Sequence, residues 1–234
     1  RMFFVAKSVQ GCTKRTLTYY RGILTQFISF LGDKPVDQIT TNDIRYYFAI
    51  KKERDGNKDS EINNKRRVLS SFFTWLYEEE YIDKNPMNKI KGIRVEKRIK
   101  KAFKDVELER LRYEASDNIR LTALLEILLS TGCRISEVSS MNRSDLEGDE
   151  IVVYGKGKKE RTVYLNAKAK LALERYLATR EDDNKAMFVS LDKPHDRLHV
   201  SQMGKEIREL GRSCGVNDTH PHRFRRTSAT MALN

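Results

Sequence analysis

The chain has 234 residues, enough for one large or two ordinary domains with real cores, and 39% of them are hydrophobic. Lysine and arginine number 45 against 33 aspartates and glutamates, a formal charge of +12, which points to a polyanionic partner. The three cysteines, Cys12, Cys133 and Cys214, cannot all pair and match no zinc spacing, and the apolar run LTALLEILLSTG is interrupted by Glu126, so structural disulfides, metal, cofactor and membrane span are all excluded from the expectation. The opening RMFFVAKSVQ has no signal-peptide core, and the cytoplasm is the expected compartment. The charge is uneven: 22 basic against 12 acidic residues through Lys101, and 23 against 21 beyond it.

In chain order, Leu17, Tyr20, Leu24, Phe27 and Leu31 recur at three- and four-residue steps, which predicts a helix over 14–31 with one buried stripe, stopped by Gly32. Thr40 or Thr41 caps a second helix running through Lys52, and Ser60 a third in which Ile62, Leu69, Phe73 and Leu76 share a face. The first domain therefore reads as all-helical. Lys65, Arg66 and Arg67 fall beside that apolar stripe, either as a solvated face or as groups reaching phosphates or a groove. The run NPMNKIKGIRVEKRIKK (85–101) holds a proline, a glycine and seven basic residues against Glu96 alone. It has the look of an extended connector, but a connector needs no such charge; a segment lying along a DNA backbone accounts for Lys97, Arg98, Lys100 and Lys101.

Beyond the connector, 105–115 and 118–130 read as helices, the second apolar on one side and stopped by Gly132. RISEVSSMN predicts a further helix, and EIVVYGKGKKERTVYL, β-branched and aromatic on both flanks of a Gly/Lys turn, predicts a hairpin. Amphipathic helices follow over 166–179 and 201–214 with the short apolar MFVS between them, and HPHRFRRTSATMALN opens a last helix at a proline.

Three of these segments, STGCRISEV (130–138), GKGKKERTVYL (155–165) and HPHRFRRTSAT (220–230), resemble in order and separation the active-site boxes of the tyrosine recombinases, the integrase-type DNA strand-exchange enzymes. The resemblance covers nearly the whole chain. It implies a mainly α fold: a helical, SAM-like core-binding domain over 1–97 with a basic linker to about 101, then over 102–234 an α-rich catalytic domain with a small antiparallel hairpin. It also implies two domains clamping double-stranded DNA, other recombinase subunits as a tetramer on paired sites, and a tyrosine that cleaves one strand through a 3′-phosphotyrosyl bond without metal. Integration or excision of a mobile element is the implied setting, with chromosome-dimer resolution equally compatible with the boxes.

The residue chemistry agrees with what the resemblance implies. Attack on a phosphodiester builds charge on two nonbridging oxygens, which arginine forks match; Arg134 and Arg225 are the two forks, and Glu137, three residues after Arg134, orients it. The last box offers two registers, His220 with Arg223 and His222 with Arg225. The family places proline directly before the histidine and an R-x-T-x-A-T-like run afterwards, which selects His222 and Arg225, with His222 exchanging a proton with the attacking hydroxyl. Arg226 stands where many relatives have a second histidine and adds a phosphate contact. Lys156 matches the family's hairpin lysine, the proton donor to the departing 5′ oxygen, with Lys158 and Lys159 close by. The nucleophilic tyrosine and a final His or Trp are expected beyond Asn234, while Tyr154, Tyr164 and Tyr176 read as packing residues. Two rivals stand beside this reading. A type IB topoisomerase shares the chemistry but does not suit the short helical first domain, and a DNA-binding protein without catalysis does not require Arg134, Lys156, His222 and Arg225 together.

Overall fold

Helix ends explain much of the architecture. Among the residues described by the computed structural model, 1–96, 100–155 and 159–233, the first unit is built from α1 (Met2–Val9), α2 (Lys14–Leu31), α3 (Thr41–Glu53) and α4 (Asp59–Glu78). Thr13 opens α2 by accepting the Thr16 N–H, and Gly32, at φ +64°, closes it by donating to the Ile28 carbonyl. Thr40 and Asp43 form a reciprocal capping box at the start of α3. α4 departs from expectation. Ser60 is not its cap; the helix begins at Asp59 because the Glu61 carboxylate accepts the Lys58 N–H at 2.7 Å and so fixes the first turn two residues earlier. Helix α1 is an addition to the expected elements, held by Phe3, whose ring meets Phe72 and Trp75 edge-on. Phe27 sits at the centre of this core with Tyr47 and Phe73 T-shaped against it. Burial pushes the Tyr47 phenol up to about 12.

The chain divides into compact units at Arg1–Arg98 and Ile99–Asn234. The second contains α5 (Asp105–Glu114), α6 (Ile119–Thr131), α7 (Ile135–Ser140), a three-stranded antiparallel sheet of β1 (Leu146–Glu147), β2 (Glu150–Tyr154) and β3 (Glu160–Tyr164), then α8 (Ala167–Ala178), α9 (Val200–Ser213) and α10 (Pro221–Met231). α6 is its axis, buried on nearly every side and packed by α8 and α10. Its two charged residues survive burial because both are paired: Arg120 bonds Glu206 and the Val189 carbonyl, each at 2.7 Å, and Glu126 takes two bonds from Arg112. The expected hairpin is present as β2 and β3, paired Ile151 with Val163 and Val153 with Arg161, and β1 extends it. The helix expected over RISEVSSMN is shorter, ending at Ser140 before a 3₁₀ turn at Arg143–Asp145. In MFVS, Phe188 stacks on Tyr176, whose hydroxyl accepts the Val189 N–H, so Tyr176 is a packing residue. The molecule is mainly helical with a small antiparallel sheet, and no described helix is long and apolar enough to cross a membrane.

Candidate active site

Gly132 ends α6 in the left-handed conformation, at φ +58° and ψ 22°, donating its N–H to Leu128. A Cβ here would meet Ser228 Oγ on α10 at 2.9 Å, so only glycine permits both the turn and the close approach of α10. The turn buries Cys133 and presents Arg134 at the N-cap of α7. Glu137, on the first turn of that helix and only 4% exposed, receives four hydrogen bonds. Two come from Arg134, its backbone N–H to Oε2 (2.8 Å) and Nη1 to Oε1 (2.9 Å). Two come from Arg161 on β3, Nη1 to Oε1 (3.1 Å) and Nη2 to Oε2 (2.8 Å). Burial alone would raise the Glu137 pKa; the bonds from Arg161 and Arg134 outweigh it and hold the carboxyl at about 2. Burial pushes the neighbouring Cys133 thiol up.

The hairpin turn leaves β2 beside this carboxylate. A Cβ on Gly155 would lie 3.6 Å from Arg161 Nη1 and 3.8 Å from Glu137 Oε1, and the Gly155 N–H closes onto the Lys159 carbonyl at 2.8 Å. Lys156 and Lys158 lie outside the described residues, and Lys159 is exposed.

Helix α10 starts at Pro221, with His220 as N-cap. Its two arginines differ in their commitments. Arg223 is buried, donating to the Asn217 carbonyl and Glu107 Oε2 at 2.7 Å each and to the Ala102 carbonyl at 3.2 Å, with its guanidinium 4.1 Å above the Phe103 ring. Arg225 is half-buried and donates to the Gly132 carbonyl, in the turn that presents Arg134. His222 is exposed, one turn before Arg225. His220 is half-buried, and burial lowers its pKa although Asp218 stands 3.5 Å away. Arg226 is half-buried and reaches the Lys101 carbonyl at 3.5 Å; Lys100 and Lys101 are exposed.

The structure thus brings Arg134, Glu137 and Arg225 together around the Gly132 turn. Arg161 is the member that sequence reasoning missed. The signal was available: along ERTVY, Arg161 alternates onto the same face as the buried Val163, an inward strand position where a charge needs a partner.

In the first unit, Lys65 and Arg66 are half-buried and Arg67 is exposed, bonded to Asn64 at 3.2 Å. Asn63 grips the connector backbone at Ile93 with two bonds, donating to its carbonyl at 2.7 Å and accepting its N–H at 2.9 Å. Lys97 and Arg98 lie outside the described residues. Among the described residues no cluster of His, Cys, Asp and Glu is arranged to hold a metal.

Comparison with known proteins identifies the class that this fold and site define. The phage integrase family matches residues 96–234, and the SAM-like N-terminal domain of phage integrases matches residues 2–83. The chain belongs to the phage integrase family, the tyrosine recombinases, as its three boxes indicate. It is 32% identical to the tyrosine recombinase XerC of Bacillus subtilis over 239 residues, covering 94% of this chain and 77% of that protein. With XerC of Listeria welshimeri it shares 30% over 247 residues, 97% of this chain and 81% of that one. Among solved structures, a lambda integrase(75-356) dimer bound to a COC′ core site matches with a TM-score of 0.85 at 17% identity, covering 100% of this chain and 88% of that one, a likeness of fold.

Proposed function

We propose that this family member cleaves and rejoins double-stranded DNA at specific sites through a 3′-phosphotyrosyl intermediate, in the cytoplasm, in the integration or excision of a mobile element. The observation that carries the reading is the bond from Arg225 to the Gly132 carbonyl: it ties the second arginine to the turn that presents the first. Residues 1–97 serve as the core-binding domain, with a basic linker to about 101, and 102–234 as the catalytic domain. Lys65, Arg66, Arg67, Lys97, Arg98, Lys100, Lys101 and Arg226 contact phosphates or groove. Further subunits, as a tetramer on paired sites, complete the machine; a lambda integrase tetramer bound to a Holliday junction shares the fold at a TM-score of 0.85 and 18% identity.

Arg134 spends a guanidinium N–H on Glu137 and leaves its side chain 49% exposed, so it is oriented and still available to a phosphate. Arg134 and Arg225 stabilise the charge that develops on the nonbridging oxygens. Glu137, held at about 2, is ionised at any working pH and cannot supply a proton, so it orients Arg134. His222 takes the proton of the attacking hydroxyl, and Lys156 protonates the departing 5′ oxygen. Tyr154 and Tyr164, expected to be packing residues, are instead exposed on the sheet. Tyr176 is buried, and the bond to Glu160 raises the Tyr154 pKa, making it a poorer nucleophile. The reading therefore takes its nucleophile from a tyrosine outside residues 1–234.

A nicked suicide duplex, carrying a site that the tyrosine-bearing gene product selects from a random library, tests the assignment. Arg134→Ala and Arg225→Ala should each slow cleavage on the order of 10²-fold or more while retaining DNA binding. Arg223→Ala, which strips Glu107 of its side-chain partner, should instead lower stability. If Arg223→Ala and His220→Ala damage cleavage more than Arg225→Ala and His222→Ala at unchanged stability, the other register is the catalytic one.

A further inference from the structure

We propose that Arg161 is a positioning residue for strand cleavage: through Glu137 it holds Arg134, and it couples strand β3 to that phosphate-binding arginine. The inference rests on the role of Arg134 given above.

Three observations carry it. The first is the hydrogen-bond inventory of Glu137. A carboxylate offers about four acceptor sites, and here four donors meet it, two of them from Arg161 in a fork-to-fork pair. Without Arg161, half of those bonds vanish inside a pocket where the carboxylate is only 4% exposed, and Arg134 is left leaning on a partner that can rotate. The second is the place of Arg161 in the sheet. It is paired with Val153 and shares the inward face of Val163, a position that an arginine for solubility would not occupy. The third is the commitment of its fork. Nη1 and Nη2 both bond Glu137, and Nη2 also stands 3.8 Å from Cys133 Sγ, so Arg161 acts through the carboxylate and not on a phosphate. One ion pair therefore links the first box, 130–138, to the hairpin box, 155–165.

Electrostatics add a signature. Glu137 is faced by Arg134 from its own helix, by Arg161 from β3 and by the Cys133 thiol from the turn after α6; Arg225 of α10 is close enough to act on Cys133. Removing Arg161 takes away the strongest of the effects that oppose burial, so the carboxyl pKa rises. Protonated Glu137 no longer holds Arg134 by charge, and cleavage acquires an acid limb.

The test uses the full gene product and single-turnover cleavage of a nicked suicide duplex bearing its selected site. Arg161→Met should cleave on the order of tenfold or more slower, with DNA affinity unchanged, and its rate relative to that of the unmodified enzyme should fall further as pH is lowered. Arg161→Lys, able to reach a single carboxylate oxygen, should recover part of the rate and move the limb to lower pH; it also carries the test should Arg161→Met not fold. A second duplex, with a neutral methylphosphonate at the scissile position, removes one of the charges that Arg134 serves. On it the defects of Arg161→Met and Arg134→Ala should shrink together. A role confined to holding the fold would slow both duplexes equally and add no acid limb, which would overturn the proposal. So would Arg161→Met cleaving normally while Arg134→Ala fails. Normal cleavage by Arg134→Ala would sink the reading of Arg134 itself, and the positioning role with it.

Discussion

Arg223 and Arg225, two residues apart on α10, point to opposite sides of a helix and so meet different surroundings. One turns inward to Glu107 and Phe103 and fastens α10 to the rest of its unit; the other reaches the Gly132 turn. Neither partner is legible locally, since Glu107 lies 116 positions and Gly132 93 positions away. The motif pattern around Pro221 could choose between registers, but it could not say what the rejected arginine does. Glu137 shows the same limit: its neighbour Arg134 was legible at three residues' distance, and Arg161 was not at 24. Its pKa also yields a stability prediction with a definite sign. The folded value of about 2 is below the ordinary 4.5, so the paired carboxylate contributes stability that is fully present above about 4.5 and is lost as pH falls toward 2. The amount is on the order of 3 kcal/mol at 1.36 per unit. Urea midpoints should therefore separate the unmodified protein from Glu137→Gln at pH 6, and the gap should narrow steadily toward pH 3. A gap independent of pH would mean that the charge of Glu137 is not what stabilises the site.

Helix starts were legible where the caps were ordinary, and at α4 a competing carboxylate moved the start. α2 runs over the expected residues because Thr13 and Gly32 are standard start and stop residues. At α4, α5 and α7 the backbone N–H of the N-cap residue goes to a glutamate three positions on, Glu61, Glu107 and Glu137, and at α4 that displaced the expected Ser60 cap. α1 was not legible because MFFVAKSV lacks the alternation of a surface helix and is held by packing on Phe72 and Trp75 far along the chain. Strand β1, two residues long, is defined only by its pairing to β2. The turn between α6 and α7 makes the element-scale prediction. Gly132→Ala forces a left-handed alanine, costing about 1–2 kcal/mol, and drives its Cβ against Ser228 Oγ. Gly148, also left-handed at φ +64° but with open space around it, is the control for backbone strain alone. Thermal melts should show a loss for both alanine variants, larger at Gly132, and only Gly132→Ala should slow cleavage, because Arg134 and Arg225 both depend on that turn. Equal cleavage by the two variants would separate the turn from the chemistry.

At the scale of the whole molecule, charge and the order of the three boxes were enough to read the fold class and the family. Burial commitments at single residues, and the grip of Asn63 on the connector at Ile93, required the three-dimensional structure. The excess of 22 basic over 12 acidic residues through Lys101 makes binding of duplex DNA a salt-dependent equilibrium. Neutralising Lys97, Arg98, Lys100 and Lys101 together should flatten the plot of log affinity against log salt by about 0.9 for each phosphate that is no longer neutralised. An unchanged slope would remove the connector from the interface. The central claim is that Arg134 and Arg225 serve a tyrosine's attack on DNA, and trapping the covalent adduct on a nicked suicide duplex, then mapping it by mass spectrometry, tests this most directly. The account predicts no adduct from the 234-residue chain and, from the full gene product, a 3′-phosphate joined to a tyrosine outside residues 1–234, absent in Arg134→Ala and Arg225→Ala. An adduct on Tyr113, Tyr154, Tyr164 or Tyr176, or one formed as fast without either arginine, would contradict it.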